Sequence, residues 1–376
     1  MNESRTLLNY HDLTVEVEDH PNQELLDHMH STLMGQPGGL RYHHTNLKDR
    51  MMSGGENYFM YLRKSGRMMG SVGFCGKPAV TEGLAHDSWL IRYFSIKSPM
   101  RVVPKKRKDK AELKDENKRS TVLGRFIQPI FAEPGQLRKE KQDAGKPSII
   151  FAIIDQSNLR SMNFSAQMGL ETVGQMAGFS FSRLNPGKSL RMEQIADRDK
   201  EEMMALLTNF YRDHTLFFTD PIFKNDDYYL IKDQGRIVAG LQFYPVHWKI
   251  VDFGGKLANL AMRGLTRIPW VKKRISLEQL NFLAFDAMYC EPGYENSFYE
   301  LMEGVLERTG TYISMLMMDE KSPLYQIFRQ KQKLGIMHKF MGTHHADIRI
   351  RFINMPDSIR SYFLDNPSYI PTYDNS

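Results

Sequence analysis

Cysteine is scarce: the 376 residues contain two, Cys75 and Cys290. They lie far apart and are too few for a disulfide framework or a zinc-ligand spacing. Two buried thiols in a reducing cytoplasm are the expectation. No apolar run approaches the ~18 residues that span a bilayer, so no membrane association is expected. The start, MNESRTLLNY, lacks a basic segment followed by an apolar stretch, so no secretory signal is expected either. Also missing are a Gly-x-Ser-x-Gly elbow, a P-loop and a His-Glu-x-x-His helix, which leaves hydrolase and nucleotide-triphosphatase readings without their motifs. No short-period repeat is visible, which excludes a solenoid. The adjacent pairs His43-His44 and His344-His345 have no partner at helical spacing, so no metal site is expected.

What remains is a chain long enough for two domains, 41% hydrophobic and 25% charged. Its net charge of +6 is concentrated. From Arg101 to Arg119 nine Lys or Arg stand against four acids, with few apolar residues, which reads as a solvated insertion. That segment holds no aromatic residue, so specific nucleic-acid recognition is not expected. The 24 methionines read as adaptable core filler.

A punctuated junction, Leu184-Asn185-Pro186-Gly187-Lys188, divides the chain into halves 1–186 and 187–376 with similar element orders. In the first half the patterns predict a strand at 13–18 and a helix at 21–34. A hairpin follows at 58–63 and 67–74 around Lys64-Ser65-Gly66, then a strand at 89–96 and a helix at 120–131. A buried strand at 148–154, a helix at 158–168 stopped by Gly169, and a strand at 178–184 complete it. The second half repeats this with a strand at 190–195, a helix at 199–211, and a hairpin at 228–232 and 236–244. Next come a strand at 280–289, a helix at 297–308, a strand at 312–318, a helix at 323–334 and a strand at 345–353.

Three segments carry chemistry. Asn158-Leu-Arg-Ser161-Met-Asn-Phe164-Ser165-Ala-Gln-Met-Gly169-Leu170 follows a buried strand and puts positions three and seven beyond Asn158 near one helix face. Arg119-Ser120-Thr121-Val122-Leu123-Gly124-Arg125 opens the helix after the basic insertion, where free N–H groups and the dipole suit a phosphate. Tyr93, Phe94, Ser95 and Ile96 end the fourth strand of the half. Together these resemble the GCN5-related N-acetyltransferase (GNAT) superfamily over roughly residues 11–184. The resemblance implies an α/β (α+β) fold of two tandem domains, each a mixed, mostly antiparallel sheet flanked by helices.

It further implies acetyl-CoA as co-substrate and transfer of its acyl group to an amine by direct attack. Arg119 to Arg125 would hold the pyrophosphate. Tyr93 to Ile96 would pair with the pantetheine amides, and Asn158, Ser161, Phe164 and Ser165 would flank the pantetheine arm. Two positions depart from the family pattern. Val122 stands for the first glycine of the loop, and Ser165 stands where the family often carries a tyrosine that protonates the departing thiolate. Among groups near the central strands, Glu82, His86 and Asp87 are the candidate general bases. In the second half Glu291-Pro-Gly-Tyr294-Glu295-Asn296 puts carboxylates where a pyrophosphate loop should be. That half reads as a degenerate copy that has lost acyl-CoA binding. A non-catalytic acyl-CoA or small-ligand binding module is the alternative. The acceptor amine is not identifiable from sequence.

Overall fold

In a computed structural model of the chain the described residues are 4–35, 39–45, 47–52, 55–96, 122–139, 145–224, 227–253, 259–260, 264, 276, 278–330 and 333–375, with the side chains of 49, 96, 122–126 and 375 excepted. The basic segment 101–119 and residues Ser120 and Thr121 lie outside the described residues.

Among the described residues fourteen strands form one sheet. In the first half they are β1 (Arg5–Tyr10), β2 (Leu13–Glu18), β3 (Leu40–His44), β4 (Glu56–Lys64), β5 (Arg67–Thr81), β6 (Leu84–Ile96), β7 (Ser148–Asp155) and β8 (Glu171–Ser182). In the second they are β9 (Met192–Gln194), β10 (Tyr228–Asp233), β11 (Arg236–Phe253), β12 (Leu280–Cys290), β13 (Ile313–Asp319) and β14 (His344–Ile353). The order is β1-β2-β4-β5-β6-β7-β14-β8-β13-β12-β11-β10-β9, with β3 beside β11. Among these described strands only β6–β7 and β12–β13 are parallel. Helices flank the sheet, so the architecture is the expected mixed α/β one built on a mostly antiparallel sheet.

The halves interlock. β14, the last strand of the second half, lies between β7 and β8 and pairs antiparallel with both. β8, the last strand of the first half, pairs on its other edge with β13. β3 adds a further crossing through Trp248↔His44 and its neighbours. One core cluster accordingly joins Leu90, Ile149 and Phe151 of the first half to Val246, Phe282 and Ile348 of the second. Burying each such large apolar side chain contributes about 1.5–3 kcal/mol, and here the burial depends on both halves. Cys75 and Cys290 are buried free thiols.

Local chemistry sets the helix ends. Asn22 and Asn158 cap the helices Gln23–Ser31 and Leu159–Gln167 by accepting from the N–H groups of Leu25 and Ser161. The helix expected at 323–334 ends at Arg329, and a further helix, Ile336–Met341, follows Gly335. Gly335 separates them at φ 93°, where an added Cβ would lie 2.1 Å from the Ser182 carbonyl oxygen. The strand expected at 178–184 begins earlier, at Glu171, because β14 supplies its first residues with a partner. No helix among the described residues is long and apolar enough to cross a membrane.

Candidate active site

β6 and β7 run side by side only from Asp87↔Ser148 to Leu90↔Phe151. Beyond that pair they part. β7 remains zipped to β14 as far as Asp155↔Ala346, and β6 remains on β5, leaving a wedge between Ile91–Ile96 and Ala152–Asp155. The register against β5 slips there: Gly73 faces Arg92 and Ser71 faces Ser95, so Tyr93 and Phe94 together oppose Val72. Tyr93 sits at φ 54°, a left-handed value uncommon for a bulky residue. Such a bulge breaks the ladder locally and re-aims backbone groups.

The wedge opens into a cavity of about 640 Å³. One wall is Ile91 to Phe94 of β6, another is Ala152 to Asp155 of β7, and a third is Asn158, Ser161, Phe164 and Ser165 on the helix Leu159–Gln167. Phe94 and Phe164 stack across the opening at 4.9 Å between centroids. The cavity then runs under the sheet between the halves, past Met176, Gly178 and Ser180 of β8, Met315 and Met317 of β13, Trp248 of β11 and His344 of β14.

Of the residues expected at the cofactor, Tyr93, Phe94, Asn158, Ser161, Phe164 and Ser165 therefore share one wall system. Ser95 turns away: its hydroxyl meets His28 Nε2 at 2.9 Å. Ile96 pairs with Gly70. Arg119, Ser120 and Thr121 lie outside the described residues. The described part of the helix that follows is Val122–Ala132, and the first four N–H groups of a helix have no partner within it. Ser165 is buried and donates its hydroxyl to the Met162 carbonyl oxygen at 2.9 Å, so its proton is already engaged.

The proposed bases fare differently. Asp87 lies in the zipped part of β6, where Arg138 and Lys146 hold its carboxylate at 2.6 and 2.8 Å. Burial pushes its pKa up, but these two charge-assisted bonds outweigh burial and hold it below the usual carboxylate value. His86 is buried with Nε2 3.0 Å from the Thr81 hydroxyl, and burial lowers its pKa. Glu82 is in the turn between β5 and β6 at φ 47°. None of the three lines the cavity. The strand start at Leu84 carries them to the closed end of the wedge, and the reading that placed them by nearness to a central strand had no way to see which end opens.

The titratable groups that do line the cavity, among the described residues, are Tyr42, Arg92, Tyr93, Asp155 and His344. Tyr42 is stacked on Trp248 at 3.6 Å, and burial raises its pKa to about 12. Arg92 is committed to Asp374 at 3.1 Å and to the Tyr93 hydroxyl at 2.8 Å. Asp155 Oδ1 accepts from the Ser157 N–H at 2.7 Å, while Oδ2 lies 3.6 Å from His344 Nδ1. Sequence reading missed this pair. Asp155 was visible as the end of a buried strand, but His344 reaches it only because β14 crosses into the first half.

No protein-family model matches the sequence, and no curated protein matches it. Solved structures do. Saccharomyces cerevisiae N-myristoyltransferase with bound myristoyl-CoA is similar with a TM-score of 0.55 at 10% identity, over 94% of this chain and 85% of that one. A structure of the yeast enzyme with myristoyl-CoA and inhibitors also gives 0.55 at 10% identity, over 94% and 82%. A GCN5-related glucosamine N-acetyltransferase region in a fungal multi-domain β-N-acetylglucosaminidase gives 0.51 at 11% identity, over 90% of this chain and 38% of that one. The chain shares its fold with these acyltransferase structures.

Proposed function

We propose that the protein is an acyl-CoA-dependent N-acyltransferase whose first half binds the coenzyme and whose acceptor amine lies in the cavity between the halves. The observation that carries this reading is the wedge between β6 and β7, which leaves strand-edge backbone groups facing a cavity rather than a neighbouring strand. Buried backbone groups of that kind need partners, and a pantetheine arm with two amides supplies them. N–H groups freed by the bulge at Tyr93 would stabilise the oxyanion formed when an amine attacks the thioester. The start of the helix Val122–Ala132 with Arg119 and Arg125 would take the pyrophosphate, and acetyl-CoA is the simplest co-substrate. Structural neighbours that are N-acyltransferases support the same reading. Halves 1–186 and 187–376 would then be a coenzyme-binding unit and a unit that completes the acceptor side.

The engaged hydroxyl of Ser165 favours a second reading, a binding module without turnover. A coenzyme A thiol has a pKa near that of cysteine, about 8.5, and leaves without a strong acid, so we hold to the enzyme. Calorimetric titration with acetyl-CoA and octanoyl-CoA, followed by thiol release in the presence of a panel of primary amines, tests both. Binding with amine-dependent thiol release is expected. Binding without release would leave the module, and no binding to either thioester would overturn both readings.

A further inference from the structure

We infer that His344, oriented by Asp155, is the catalytic base that takes the proton from the acceptor amine; the inference rests on the acyltransferase reading above. β14 places it. In the register His344 faces Gly178 of β8, Ala346 faces Met176 of β8 on one side and Asp155 of β7 on the other, and Gly178 faces Met317 of β13. Alternate residues of neighbouring strands share a face, so Asp155, His344, Gly178, Met317 and Ser180 stand on the cavity side of one continuous surface. The imidazole is thus at the junction between the wedge and the inter-half arm, over a glycine that leaves room beside it.

Elimination leads to the same residue. Among the described lining groups, Arg92 is bonded to Asp374 and to the Tyr93 hydroxyl, Tyr42 is stacked on Trp248, and Asp155 is held through Ser157 with its second oxygen toward His344. His344 is half-exposed, so solvent and an amine both reach it. The charged groups acting on the ring are Asp155 and the adjacent His345. The latter turns to the opposite face and is bonded to Glu320 at 2.8 Å. Burial lowers the His344 pKa, Asp155 raises it and His345 lowers it again, with a net shift below the ordinary histidine value. That direction favours the neutral ring, the form that accepts a proton. With Nδ1 on the Asp155 side, Nε2 is the nitrogen that faces the acceptor.

The step balances as follows. The amine nitrogen forms a bond to the thioester carbonyl carbon, the carbonyl π pair moves to oxygen, and the nitrogen's proton passes to His344 Nε2. The oxyanion then collapses, the carbon–sulfur bond breaks with its pair on sulfur, and the imidazolium or water returns a proton to the thiolate. The rest of the inter-half arm is built from Met315, Met317, Trp248 and Phe253 and offers, among its described residues, no carboxylate beyond Asp155. The acceptor that fits is a primary amine with an apolar or aromatic body, not a polycation.

The test measures coenzyme A binding by calorimetry and thiol release from acetyl-CoA with 2-phenylethylamine, hexylamine and spermidine between pH 5.5 and 9.5, for the wild type, His344→Gln, His344→Asn and Asp155→Asn. Unchanged coenzyme A affinity in all four is expected, with a loss of ~100-fold or more in kcat/KM at pH 7 for both His344 variants. The wild type should lose activity on a limb below pH 6.5. Both His344 variants should instead climb steadily with pH toward the amine's own pKa. Asp155→Asn should move the wild-type limb to lower pH with a smaller loss, since a carboxylate neighbour favours the charged imidazole. Wild-type rates and pH profile in His344→Gln, with coenzyme A bound, would overturn the inference and leave the acyltransferase reading standing. A wild type that fails to bind coenzyme A overturns that reading itself, and binding with no thiol release to any amine removes the reaction and its base together. Preference for spermidine over the two apolar amines would overturn the acceptor class.

Discussion

Among the described residues the same wedge occurs twice, and one of the two is open. β12 and β13 run parallel for just Leu283↔Ser314 and Ala284↔Met315 before they part, as β6 and β7 do. β12 also carries a bulge, where its register against β11 slips and Ala287 takes φ 45°, matching Tyr93. In the second half, however, the chain's own C-terminal residues fill the gap. The Ala287 N–H donates to the Tyr369 hydroxyl at 2.9 Å, and the Met317 N–H donates to Thr372 Oγ1 at 3.0 Å. Asp286 accepts from the N–H groups of Thr372 and Tyr373, and Asp319 from that of Ser368. The space left there is about 10 Å³. At the corresponding helix start the Glu295 carboxylate accepts from the Gly293 N–H at 3.0 Å. A parted strand pair is thus a demand for hydrogen-bond partners, and the two halves differ in whether the protein itself meets it.

The largest expected effect on this contrast is a pH effect in the closed wedge. Burial raises the Asp286 pKa to about 7, against the bonds from Thr372 and Tyr373. A folded-state pKa above the unfolded one means that the folded state holds the proton longer. Stability from this residue is therefore full at about pH 4 and is lost as pH rises through about 7, a change of about 4 kcal/mol. Urea unfolding between pH 4.5 and 8 should show this decline in the wild type and a flatter profile in Asp286→Asn. A profile equally steep in both would mean that other groups govern it.

Closing the open wedge comes next. Ser161→Trp, at a partly exposed position lining the cavity, should weaken acetyl-CoA binding ~100-fold, about 2.7 kcal/mol, while far-ultraviolet circular dichroism stays unchanged. Undiminished binding would show that coenzyme A enters elsewhere. Loosening the closed one is smaller: Tyr369→Phe leaves the Ala287 N–H without its partner at a cost of about 2 kcal/mol, read as a lower urea midpoint with acetyl-CoA affinity untouched. A change in affinity would instead tie the second wedge to the ligand. Smallest, Asn158→Ala removes the cap from the helix that walls the open wedge and should cost about 1 kcal/mol, measured in the same way; no loss would mean that tertiary packing alone holds that helix.

The comparison also explains what could be read in advance. Alternation at Leu13 to Glu18, the apolar run Ser148 to Ile154 and the cap at Asn158 announce their elements, because each is a local pattern of side chains against one neighbouring layer. β3 and the helix Asp357–Asp365 were not foreseen: they are short and gain their order from contacts far along the chain, and β1, also not foreseen, is a short edge strand paired to β2. Asn158, Ser161, Phe164 and Ser165 were legible for the same local reason, being one face of one helix. Glu82, His86 and Asp87 were chosen by nearness to a strand, and strand proximity carries no information about where that strand leaves its partner.

The sequence by itself determined most of the elements and the helix face that walls the cavity, since periodicity and capping act within a few residues. Tertiary structure alone decided that β14 inserts between β7 and β8, which brings His344 to Asp155, and that residues 368–373 seal one wedge but not the other. Those outcomes are choices among strand edges of equal hydrogen-bonding capacity, and only the packed sheet sets which edge is taken.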